Sequence, residues 1–111
     1  MSGGHFNYDQ YKIGYIADSI EREIEKNGKR KTEEELRQEP WVNKEWLERN
    51  PGHINHYEYP PEVIEKFKEA VNLLHRAQIY AQRVDWLLSG DDGEESFLRR
   101  LKEDLSNLKE L

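Results

Sequence analysis

Eight apolar residues, Val63, Phe67, Ala70, Leu74, Ala77, Ala81, Val84 and Leu88, recur at alternating steps of four and three. Only a helix brings positions at that spacing onto one side, and a seam this long demands a partner along its whole length. Pro60-Pro61 sets the start, because proline fits a first helical turn and cannot extend a preceding helix. Gly90 sets the end as a left-handed cap. Three alanines on the seam let a neighbouring backbone approach closely, and Leu73, Tyr80 and Leu87 form a second stripe beside it. Apolar residues on both flanks require contact with more than one helix, within the fold or across a homo-oligomer interface.

Shorter signals flank this spine. Asn7 reads as an N-cap with Gln10 three residues on and Phe6 placed to staple onto Tyr11, and Ile13, Ile16, Ala17, Ile20 and Ile24 continue with helical period to a stop at Asn27-Gly28. Beyond Gly90, Asp92 with Glu95 reads as the cap of a last helix carrying Phe97, Leu98, Leu101, Leu105 and Leu108. No stretch alternates apolar and polar residues as a half-buried strand does. The sequence therefore predicts an all-α fold, a small helical bundle whose central helix spans 60–89, flanked by helices over 8–27 and 93–109, the last forming an antiparallel C-terminal hairpin. With 111 residues there is room for a single domain, 1–111. Residues 29–59 form a less regular insertion, broken by Pro40 and Pro51-Gly52, with a capping box from Thr32 to Glu35. Trp41, Trp46, Leu47 and Ile54 are expected to tuck onto the main body, since exposed tryptophans make an adhesive patch.

Composition narrows the chemistry. A mean hydropathy of -1.08 with 36% charged residues leaves no stretch for a bilayer span, and the N-terminus carries no secretory pattern, so a cytoplasmic protein is expected. The absence of cysteine removes disulfides, thiolate metal sites and thiol nucleophiles. At a net charge of -6 the densest basic run, Lys29-Arg30-Lys31, is followed at once by Glu33-Glu34-Glu35, which argues against nucleic acid as a partner.

Four residues stand out as a ligand-binding set. Arg76 and Arg83 lie seven apart with Tyr80 between them and Trp86 nearby, so guanidinium groups and rings share a side of the helix. Arginine forks match phosphate and aromatic rings stack on bases, which is the chemistry of a nucleotide-like small molecule. The competing assignment pairs these arginines with Asp85, Glu69 or a carboxylate of another helix. The carboxylates of 91–95 read as turn formers and helix-start charges, and their spacing is not that of a calcium loop. His53, His56 and Glu58 lie between proline breaks, in a loop that does not present them as a zinc face. No metal and no cofactor is called for.

Two runs carry a resemblance. Gly3-Gly4-His5-Phe6-Asn7-Tyr8-Asp9-Gln10-Tyr11, with Ile16-Ala17-Asp18-Ser19-Ile20-Glu21 after it, and the run from Tyr80 to Leu105 that begins YAQRVDWLLSGDDGEESF, resemble a family of small phage and prophage proteins with no established activity. Together they cover about half the chain. The resemblance implies a phage accessory protein in the host cytoplasm, acting by binding a host or defence protein or by sequestering a nucleotide signal. The chain is also similar, as a small acidic helical bundle, to the all-α nucleotide pyrophosphatases, which hold magnesium on paired helices. Asp18 with Glu21 and Glu62 with Glu65 mimic that family's first motif, but no Glu-x-x-Asp follows anywhere.

Overall fold

A computed structural model describes residues 4–111. Five α-helices are present among the described residues: α1 (Gln10–Lys26), α2 (Glu33–Arg37), α3 (Lys44–Arg49), α4 (Pro61–Leu88) and α5 (Glu94–Asn107), with a 3₁₀ turn at Pro51–Ile54. The all-α class and the long central helix match the periodicity of the sequence. Helix α1 packs on α4, and α5 packs on α4 from another side. Both pairings are antiparallel, as shown by contacts of Gln10 with Gln82 and of Asn27 with Tyr59 for α1, and of Arg83 with Asp104 and Asn72 with Leu111 for α5. Gly14 permits a close approach of α1 to α4: a Cβ there would lie 2.6 Å from the Gln78 side chain. Gly90, with φ +81°, ends α4 in the left-handed conformation that a side chain rarely adopts.

Three local expectations are corrected. Asn7 is not the N-cap: it and Tyr8 both have positive φ, and the helix begins two residues later behind Asp9, whose side chain makes no capping bond. Phe6 is turned toward the C-terminal end of α4 by its N–H, which donates to Asp85 at 2.8 Å, and Tyr11 stacks on Tyr8 rather than on Phe6. Asp92 does not cap α5 either. Gly93 occupies that position, while the Asp92 side chain is buried and faces Arg100 at 3.6 Å.

The insertion is closed at its base by backbone bonds between two short antiparallel stems. Lys31 N–H donates to Ile54 and His56 N–H to Lys29, forming a bridge of Arg30 with Asn55, and Gly28 N–H reaches the Tyr57 carbonyl. Inside it the Thr32–Glu35 capping box is present in both directions. The tryptophans do not tuck onto the helical body. Trp41 is 63% exposed, and Trp46 packs edge-on against His53 at 4.7 Å, with α3 lying on the 3₁₀ turn. At the base of the insertion Tyr59 packs edge-on against Phe67 of α4 at 5.1 Å, whereas Trp46 finds its ring neighbour within the insertion.

Glu35 joins this cap to its surroundings. Its carboxylate is held down to about 2 from an ordinary 4.5, first by the Thr32 N–H, against some desolvation, and further by the Thr32 hydroxyl and His56. A carboxylate depressed in the folded state stabilises it above its unfolded pKa and ceases to do so as pH falls through the folded value. The α2 cap should therefore be unchanged from neutrality to about pH 4.5 and loosen progressively between there and about pH 2. Amide hydrogen exchange at Glu35, compared with a Glu35→Gln chain, checks this. Protection that is flat with pH over that interval contradicts it.

The whole measures 63 × 32 × 15 Å, with a radius of gyration of 20.0 Å. A compact chain of this length has a radius near 13 Å, roughly two-thirds as large. Only Ala17 and Val71 are buried apolar residues among those described.

Candidate functional site

On α4, Arg76 and Arg83 face α5, and the carboxylates of α5 and the residues after it occupy them. Arg83 donates from Nε to Asp104 Oδ2 at 2.6 Å and from Nη2 to Asp104 Oδ1 at 3.1 Å, a two-pronged fork, with its guanidinium 4.7 Å from the Trp86 ring centre. The Asp104 carboxylate keeps the guanidinium pKa above its ordinary value despite partial burial. Arg76 pairs with Glu110, and Tyr80 stays half exposed nearby. The structure thus brings Arg83 and Trp86 together and leaves Arg76 and Tyr80 outside that contact. A groove of about 300 Å³ beside Arg76 is lined by Glu69, Asn72, Leu73 and Glu110, two carboxylates to one guanidinium. That balance repels a phosphate more than it attracts one.

The insertion holds the second polar cluster. His53 Nε2 lies 2.7 Å from Glu39 and 3.2 Å from Lys31 Nζ, whereas His56 Nε2 lies 2.9 Å from Glu35. Each histidine takes its own carboxylate, and Glu39 is held below the usual carboxylate range chiefly by His53, with Lys31 adding to the effect. Among the described residues no group of three or more His, Asp or Glu side chains converges as a metal site. The pairs Asp18 with Glu21 and Glu62 with Glu65 accordingly do not assemble into one carboxylate centre, and Glu65 instead lies 3.8 Å from Lys68.

The junction of the N-terminal segment with the end of α4 was not singled out from the sequence. Here the two motif runs meet, nearly 80 residues apart in the chain. Asp85, buried on α4, accepts the Phe6 N–H, and Gly4, with φ +62°, comes so close that an added Cβ would sit 2.8 Å from Asp85 Oδ2. One turn along, the buried Gln10 donates to Gln82 at 2.8 Å, and Gln82 donates to the Tyr11 hydroxyl at 3.3 Å. A signal for Asp85 did exist: steps of seven place Val71, Gln78 and Asp85 in one line, so the helical side that buries Val71 also buries a carboxylate. An open hollow of about 510 Å³ lies beside this junction, walled by Phe6, Gln10, Ile13 and Ala81.

The junction also fixes a row of tyrosines. Tyr8, Tyr11 and Tyr15 are all exposed, Tyr15 by 68%, on the edge of α1 turned away from its isoleucines. Asp18, Arg22 and Glu25 continue that edge and are exposed.

The fold and these clusters define an elongated all-α protein whose polar motif residues are spent largely on holding the chain together. No protein-family model, curated protein or solved structure matches it. Among the described residues, no helix is long and apolar enough to cross a membrane.

Proposed function

We propose that this chain is a non-catalytic accessory binding protein of the phage type, acting on a bacterial host or defence protein, with the tyrosine edge of α1 as its contact surface. The observation that carries the reading is the exposed row of Tyr8, Tyr11 and Tyr15 on a segment anchored by Asp85. Tyrosine supplies large, stiff, amphipathic contact area at low entropic cost, and it is enriched where proteins meet. Asp18 and Glu25 outnumber Arg22 on the same edge, and in a chain of net charge -6 this favours a partner with a basic surface. A nucleotide target fits less well, because Arg83 would have to leave Asp104 before binding a phosphate.

The test compares the full chain with its Tyr15→Ala variant as baits in a bacterial lysate, with bound nucleotides assayed by mass spectrometry on the same samples. Tyr15 is mostly exposed, so its truncation leaves the fold intact. The expected result is a defined protein retained by the parent chain and held at least about tenfold more weakly by the variant, the loss of one interface anchor. A retained nucleotide without a protein, or capture indifferent to Tyr15, overturns the reading.

A further inference from the structure

We infer that the open face formed by α1 and α4 is the seat of a second copy of this chain, which closes it into a two-fold helical core. The inference starts from where the eight-residue seam points. Helix α1 meets α4 along Val71, Gln78 and Asp85, and α5 meets it along Arg76 and Arg83. The seam is rotated about a quarter of a turn from the first line, away from the second, so it is only partly covered: Val63, Phe67, Ala70, Leu74, Ala81 and Val84 are half-buried, with Tyr59 edge-on against Phe67 at 5.1 Å. Leu73 beside it is 66% exposed, and Ala77 and Leu88 on it are exposed. On α1 the same offset recurs. Gln10, Gly14 and Ala17 are buried, while Ile16 on the isoleucine stripe is exposed. Because the helices run antiparallel, equal rotations of the same sense turn both stripes to the same side of the pair. The result is one continuous apolar face.

The area argues for a copy of the chain as occupant. The accessible surface is 8354 Å², whereas a compact monomer of 13.3 kDa exposes about 6,500 Å², leaving roughly 1,900 Å² in excess per chain. Two such excesses fall in the range of about 2,000–5,000 Å² that obligate dimers bury. The face is also self-complementary. The seam carries no charge, its alanines sit centrally and allow close helix approach, and two rim pairs, Lys66 with Glu69 and Lys12 with Asp9, are already neutralised within one chain. Over the seam itself a second copy therefore meets apolar surface with apolar surface. This inference is independent of the tyrosine edge, which lies on the other side of α1.

Sedimentation of the full chain at micromolar concentration tests it, alongside Ala77→Glu in the seam and Tyr15→Ala outside it. The expected outcome is twice 13.3 kDa for the parent and for Tyr15→Ala, and 13.3 kDa with retained helicity for Ala77→Glu, because Ala77 touches solvent in the single chain. A monomeric parent leaves the face to some other partner and overturns the proposal, as does an assembly indifferent to Ala77→Glu. If Ala77→Glu loses its helical signal, Ala77→Cys decides, since it introduces the sole cysteine. A short bismaleimide should then join two chains efficiently at Cys in place of Ala77 but not in place of Lys12, and equal or absent joining overturns the proposal.

Discussion

Replacing Asp85 by alanine is expected to detach residues 4–9 from α4 and to destabilise the chain by about 2 kcal/mol, the scale of a charge-assisted hydrogen bond whose donor is left without a partner. The carboxylate is buried and is the acceptor for Phe6 N–H, and Gly4 closes over it. Without it the segment before α1 loses its bond to α4, while the Gln10–Gln82 bond still holds the first turn of the helix. Asp85→Asn retains an acceptor oxygen of the same shape and should lose about half as much. Hydrogen exchange over residues 4–12 and the denaturation midpoint read the two effects separately. An alanine variant with parental protection in that segment contradicts the account.

The second large effect is expected at Arg83. Truncation to alanine removes both prongs from Asp104 and the cation from the Trp86 ring, so α5 loses its main polar anchor. A pair of this kind, shielded on the arginine side but partly solvated at Asp104, is worth about 1–3 kcal/mol when one partner is deleted. The loss should appear as fraying of α5 while α1 remains docked, because the two helices meet different sides of α4. Arg83→Lys keeps the charge without the planar fork and should recover less than half of the loss. Residue-resolved exchange distinguishes this from global unfolding: uniform loss of protection across α1 and α5 contradicts a local anchor. The same variants bear on ligand binding. A nucleotide lost from an otherwise folded Arg83→Ala chain would restore the phosphate role of that side chain.

Much of the architecture was legible because its signals are local or periodic. The long seam needs only helical geometry to be read, and the Thr32–Glu35 box needs only a three-residue spacing, so α4 and the start of α2 fall where the sequence places them. The N-terminus of α1 was misread for the opposite reason. Asn7 has the chemistry of a cap, but a carboxylate 79 positions from Phe6 captures that residue's N–H and bends the segment through two positive-φ residues. At Arg83 the kind of partner was foreseeable, a carboxylate of another helix, whereas its identity as Asp104 depends on the register in which α5 docks. Trp41 and Trp46 were assigned to the main body on the cost of exposing them. That argument assumes a reachable core, and the insertion instead gives Trp46 a neighbour of its own in His53.

The stems at the base of the insertion have an evolutionary consequence. Since Lys29 and Lys31 are bonded directly to His56 and Ile54, the two chain ends entering the helical body are fixed in space whatever lies between them. Loop closure costs rise only slowly with length, so segments of different size could be exchanged above this clasp with little change in the pairing of α1 with α4. Apart from the pairing of Glu35 with Lys26 of α1, residues 32–53 are thus little tied to the helices, and a lineage of such proteins could keep one scaffold while trading what it displays at that end.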